Sequence, residues 1–146
     1  MADVLGRGEG VRTYAARGSV MAFKAIAEHD GGDFSLMERT LPPHGRRPPA
    51  HRHTNCSEAY FVLDGEVSVH IDDEELLVRR DGFVLVPRGT AHTFGNRGDD
   101  EARLLVIHAP AVDAYFAELH DLWSAAAPPT PDDERALMAR FGMEPA

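Results

Sequence analysis

Between Val20 and His108 the apolar residues come in short runs rich in Val, Leu, Ile and Phe, each cut off by glycine, proline or aspartate. Runs of that length with period-two alternation read as strands of an all-β sandwich or barrel. The alternation predicts strands over 58–63, 67–71, 76–78, 83–86 and 103–107, separated by turn pairs such as Asp64-Gly65, Asp72-Asp73 and Asp81-Gly82. An earlier hairpin is expected to join 20–28 with 33–41 through His29, Asp30, Gly31 and Gly32. The proline-rich stretch 41–49 lacks ladder donors and predicts a shaped loop. After Pro110 the period changes: Val112, Tyr115, Phe116, Leu119, Leu122 and Trp123 recur at helical spacing, predicting an amphipathic helix on the barrel. A second helix is expected from Pro131, with Thr130 as its cap, acidic residues in its first turn and Gly142 as its stop. The expectation is therefore one domain over 1–146, with a barrel over about 11–109 and a helical segment over about 111–142.

Composition narrows the choice of partners. The chain has 146 residues and a formal net charge of -9, which disfavours a phosphate backbone or an anionic membrane surface. Every apolar run breaks well short of the roughly 20 residues a membrane helix needs. The single cysteine, Cys56, excludes a disulfide within the chain, and the charged, glycine-rich start has no apolar signal core, so a cytoplasmic location is expected.

Candidate chemistry concentrates in His51, His53, Glu58 and His92. Residues two apart on a strand point to the same side, so His51 and His53 can reach one ion, with Glu58 close behind. His92 can come opposite the pair from an adjacent antiparallel strand. Imidazoles and one carboxylate form a borderline donor set suited to one divalent transition metal, Fe(II), Ni, Mn, Co, Cu or Zn, with open positions left for water, substrate or dioxygen.

These residues resemble the cupins, a family of small metal-binding β-barrels. The first cupin motif is matched by Gly45, His51-Arg52-His53, Glu58 and Gly65, and the second by Pro87, Gly89, His92 and Asn96. One position departs, since the glycine expected at the start of the second motif falls on Asp81, with Gly82 beside it. The resemblance implies a double-stranded β-helix, or jelly-roll barrel, with C-terminal α-helices, and is nearest to single-domain bacterial cupins grouped with quercetin dioxygenase. It also implies that Glu58 can take a proton from a substrate hydroxyl, and that the chain forms a homodimer through an outer strand or sheet face. The segment 11–16 has the length of an added strand, although the helix after Pro110 could cover that surface instead.

If the ligands face inward, alternation sends Tyr60, Val62 and Phe94 into the same cavity, and Leu36, with Phe34 and Glu38, can join them from the preceding strand. Such a pocket suits an aromatic or phenolic substrate. The leading expectation is a dioxygenase-type enzyme. A non-redox isomerase or polyketide cyclase and a non-catalytic small-molecule-binding module stand as alternatives, because fold does not settle chemistry. Cys56 reads as a small buried hydrophobe, or else a further ligand or redox-sensitive thiol, Asn96 as a residue bonding backbone, and His108 as a satisfied core histidine.

Overall fold

The alternation seen in the sequence becomes two antiparallel sheets packed face to face in a computed structural model that describes residues 4–146. In chain order the elements are β1 (Arg12–Ala16), β2 (Ser19–Ala25), α1 (Ala27–Asp30), β3 (Ser35–Leu41), β4 (His51–His53), β5 (Ser57–Asp64), β6 (Glu66–Ile71), β7 (Glu74–Arg79), β8 (Phe83–Val86), β9 (His92–Gly95) and β10 (Ala102–Ala109). They are followed by α2 (Asp113–Trp123), α3 (Pro131–Arg140) and β11 (Met143–Pro145). One sheet runs β1-β2-β3-β10-β5-β8 and the other β11-β4-β9-β6-β7. This is the expected all-β jelly roll with C-terminal helices.

The pleat decides what faces the core. On β5 Glu58, Tyr60 and Val62 are buried, and on β10 Ala102, Leu104, Val106 and His108 are buried, while their neighbours lie nearer the outside. Met21, Phe23 and Met37 complete the inner face of the larger sheet, and Val67, Val69 and Phe94 face them from the other. Each large side chain so buried contributes about 1.5–3 kcal/mol. Two turns depend on glycine. Gly65 has a φ of 74°, and a Cβ there would lie 2.7 Å from the Glu101 carbonyl oxygen. At the departing motif position Asp81 itself takes a φ of 69°, while a Cβ on Gly82 would meet Val78 Cγ1 at 2.6 Å. The order Asp-Gly thus places the left-handed residue first and the residue without space for a side chain second.

Two expectations about the strands need correction, and one strand was not anticipated. The strands over 20–28 and 33–41 pair antiparallel as expected, but their connection contains α1, where Asp113 Oδ1 accepts a hydrogen bond from Ala27 N at 3.0 Å, a helix-end contact supplied from 86 residues away. Leu36 lies opposite Ile107, on the face of β3 that looks away from the core, whereas Met37 and Arg39 point inward opposite Val106 and Leu104. The strand β11 had no counterpart in the sequence reading. The segment 11–16 does form a strand, but it pairs with β2 in its own chain and is covered by α2, where Tyr14 and His120 meet at 5.7 Å between ring centroids.

The C-terminal segment closes the barrel. On α2 Tyr115, Phe116 and Leu119 are buried, with Phe116 5.6 Å from Phe23. The helix α3 begins with a reciprocal capping box, in which Thr130 Oγ1 accepts from Asp133 N at 3.1 Å and Asp133 Oδ2 accepts from Thr130 N at 2.8 Å. Glu134, expected to face the helix end, is instead buried against the barrel, accepting from Arg17 Nε at 3.0 Å and from Trp123 Nε1 at 2.6 Å. Beyond Gly142 the chain pairs with β4, setting Met143 opposite His53.

Candidate metal centre

Two strands from one sheet and one from the other carry the four candidate ligands to a single point. His51 and His53 occupy the inner face of β4, His92 lies opposite His51 on β9, and Glu58 comes from β5 across the core. One ligand atom from each falls within 4.8 Å of every other, and all four residues are buried. Glu58 Oε2 lies 2.7 Å from His92 Nε2 and 3.0 Å from His53 Nε2. Among the described residues neither nitrogen of the buried His53 ring has a hydrogen-bond partner, although its Nε2 lies this close to Glu58. A buried polar atom left bare costs about 1–3 kcal/mol, which a bound cation would relieve.

Local backbone sets the tautomers. A carbonyl oxygen can only accept, so His51 Nδ1 donates to Pro49 O at 2.7 Å and His92 Nδ1 donates to Thr90 O at 2.9 Å. In the neutral rings this leaves both Nε2 lone pairs aimed inward, the arrangement that orients imidazoles toward an ion. The donor set, the bare His53 ring and these outer hydrogen bonds therefore fit a divalent transition metal.

The charges are arranged to match. Burial alone would raise the Glu58 pKa, but the charge and contact of His108 and the close approach of His53 and His92 outweigh it and hold the carboxyl well below its usual range. Burial works against charge on His92 too, yet its hydrogen bond to Glu58 carries its pKa above the ordinary value. His51 is pushed down to about 3, chiefly by burial and then by the charge of His92. Without a metal, the proton shared between His92 and Glu58 occupies the place of the cation, so metal binding must release it.

The residues expected to line the pocket separate. Tyr60, Val62 and Phe94 are buried on the inner faces, with Tyr60 and Phe94 rings 4.9 Å apart, whereas Leu36 is not brought to the site. Among the described residues the Tyr60 hydroxyl has no hydrogen-bond partner. Cys56 is buried outside the ligand cluster, and burial followed by the Glu58 charge raises its thiol to about 12, keeping it protonated. Asn96 bonds backbone as expected, donating to Asp100 O at 2.7 Å.

Two residues at the site were not anticipated in these roles. His108 Nε2 lies 3.1 Å from Glu58 Oε1, while its Nδ1 is buried without a partner, so it is not a satisfied core histidine. Arg39 is 3% exposed and lines the same cavity as His51, His53, Glu58, Phe94 and His108. Tyr115, Phe116, Met138 and Met143 form the cover of this cavity, whose free volume of about 20 Å³ is room for a single water. Arg17 and Pro48 lie on its boundary with an outer cleft of about 260 Å³ that is also lined by Arg46, Trp123 and Arg135.

Comparison with known proteins bears on this arrangement. Residues 37–108 match the model of the Cupin domain family. The chain is 33% identical over 80 residues to polyketide synthase CurC of Streptomyces cyaneus, covering 55% of this chain and 52% of that protein. It is 34% identical over 121 residues to Nectarin-1 of Nicotiana langsdorffii x Nicotiana sanderae, covering 75% and 49%. The chain thus spans about half the length of these relatives. Its fold matches the crystal structure of a predicted oxalate decarboxylase from Thermotoga maritima with a TM-score of 0.64 at 19% identity, covering 74% of this chain and 99% of that one.

Proposed function

The chain belongs to the cupin superfamily, and from that premise we propose that it is a metal-dependent enzyme acting on a small aromatic or phenolic molecule by dioxygenase-type chemistry. The observation that carries the reading is the convergence of His51, His53, Glu58 and His92 within 4.8 Å, with the His53 ring bare and the other two imidazoles oriented by carbonyls. When bound, a divalent ion supplies Lewis-acid polarisation and, for the redox-active metals, access to dioxygen.

The chain's own residues do the rest. Glu58 is ionised at neutral pH, so its carboxylate can accept a proton from an acidic phenolic hydroxyl. His108, against Oε1, positions the carboxylate. Phe94, Tyr115 and Phe116 exclude water and offer flat faces to an aromatic ring. The cavity is small, so a substrate enters by displacing Met138 and Met143, whose flexible thioethers move at least cost.

The likeness to polyketide synthase CurC favours a second reading, in which the same ligands hold a redox-inert ion and the reaction needs no dioxygen. Dioxygen uptake by metal-loaded protein on a panel of phenols, with Glu58→Ala as control, separates the two. Uptake that depends on Glu58 supports the first reading, product without uptake supports the second, and ligand binding with no turnover removes both. We place the homodimer contact of this reading on the edge strands β7 and β8, where Leu77, Phe83 and Leu85 are at least half exposed. Its compartment in this reading is the cytoplasm, in keeping with a single free cysteine.

A further inference from the structure

We propose that Arg39 is the anion-recognition residue of the metal chamber, and that the ligand it selects is a small organic acid held through its carboxylate. This deepens the proposed function and rests on it.

Arg39 sits where an apolar side chain would be expected. On β3 it faces inward between Met21 of β2 and Leu104 of β10, with 3% of its surface exposed. A guanidinium at such a position loses its hydration and is retained cheaply only beside a carboxylate. Among the described residues none comes within ion-pair distance of it, although Arg17, the other buried arginine, is paired with Glu134 at 3.0 Å. The side-chain hydrogen bond of Arg39 runs from Nε to Ser19 Oγ at 3.2 Å, and its guanidinium carbon lies 5.0 Å from the Phe94 ring centroid. Neither contact uses the two terminal nitrogens, and these form the planar fork that matches a carboxylate with two parallel bonds.

The surroundings point to the same occupant. Arg39 lines the same cavity as His51, His53 and Glu58, so one small molecule can reach both it and the ligand cluster. With a divalent ion in place, the charges of Arg17, Arg39 and the ion around this chamber exceed those of Glu58 and Glu134 by two positive units, the other buried carboxylate, Glu38, lying on the outer face of β3 beside Lys24 and Arg103. A carboxylate halves that excess and a neutral ligand leaves it unchanged. Burial, and next the charge of Arg17, pull the Arg39 pKa down to about 10, which still leaves it charged at neutral pH. The outer cleft adds Arg46, whose guanidinium lies 5.5 Å from the Trp123 ring, so an acid approaching through it meets positive charge on a chain whose net charge is negative.

Matched acid and amide pairs test this directly. Wild type and Arg39→Met, each metal-free and zinc-loaded, are titrated calorimetrically with acetate against acetamide and benzoate against benzamide. The zinc content of every sample is measured. The smaller pair requires the chamber to open least and the larger pair most. Metal-free wild type is expected to bind at least one acid about tenfold or more tightly than its amide. In Arg39→Met the acid-to-amide ratio falls about tenfold in both forms with zinc content unchanged. The Arg39→Met protein also melts at a higher temperature than wild type when no acid is present, because an unpaired buried charge has gone. Arg39→Lys, which keeps the charge without the fork, retains part of the preference and serves if the methionine variant does not fold. Equal binding of acid and amide by wild type overturns the proposal. So does no binding of any of the four probes at millimolar concentration, an undiminished ratio in Arg39→Met, or a lower melting temperature for that variant. If the acid preference persists while zinc fails to bind, only the metal reading fails; if zinc binds and the preference is absent, only the Arg39 reading fails.

Discussion

Replacing Glu134 with glutamine removes one charge from a network that clamps the C-terminal helices onto the barrel. Glu134 Oε1 lies 3.0 Å from Arg17 Nε and 2.6 Å from Trp123 Nε1, and the arginine and glutamate side chains are 2% and 5% exposed. Those contacts join the β1–β2 turn, the end of α2 and the start of α3. Glutamine keeps the shape but strands the Arg17 guanidinium without a counter-charge, a change that costs about 3–5 kcal/mol for a buried pair. Against a total stability of about 5–15 kcal/mol that is a large fraction. With a urea slope near 2 kcal/mol per molar, the midpoint should fall by about 1.5–2.5 M. Trp123, the single tryptophan, sits in the network, so its fluorescence follows the transition where the perturbation is made. The double variant Arg17→Met, Glu134→Leu exchanges the pair for apolar groups and should recover most of the loss, since both charges then leave the interior together. A Glu134→Gln midpoint within 0.3 M of wild type, or a double variant no more stable than the single one, would refute the reasoning.

Other outcomes follow from the same geometry. In metal-free protein, stability should fall as pH drops from about 6.5 toward 4: His51, held down to about 3, stays neutral in the folded state while the unfolded chain takes up the proton. Over that range this group alone sets an upper bound of roughly 3.5 kcal/mol. Glu58 adds to the loss below its unfolded value, because stability from a depressed carboxyl disappears as pH falls through the folded pKa. His92, raised in the folded state, contributes stability that is complete below its unfolded pKa and is lost only as pH rises through the folded one. Urea midpoints across pH 4–8 check the sign. His108→Leu frees Glu58 Oε1 and should weaken metal affinity by about 10–100-fold in competition titrations with the barrel still folded. Leu85→Lys on the exposed edge should shift sedimentation toward monomer without lowering the melting temperature.

The sequence made the ligands legible because His51 and His53 are two apart on one strand, and because Glu58 and His92 stand at motif spacing from turns that glycine marks. The strands from β5 to β10 were legible for a related reason, their alternation matching one buried face. What escaped depends on partners distant in the chain. The helix α1 is stabilised at its start by Asp113, which no local signal reveals. His108 meets Glu58 only because β10 and β5 pair in that register, and a one-residue slip would have turned it outward. The face of β3 could not be read from its own residues, so Leu36 was expected inside and Arg39 was passed over; a charge flanked at every second position by Met37 and Leu41 was the available signal. The strand β11 spans only three residues and includes a proline, and its pairing with β4 comes from the way α3 returns the chain to the barrel mouth.

The central claim is that the four buried side chains hold one metal ion. Its most direct test is elemental mass spectrometry of untagged protein purified under anaerobic conditions, beside the His51→Ala, His53→Ala double variant. Near-stoichiometric Fe, Ni, Mn, Co, Cu or Zn in the wild type, absent from a variant that remains folded by circular dichroism, is the predicted result. A wild type that stays free of metal even after reloading, or a variant that retains it, would contradict the account.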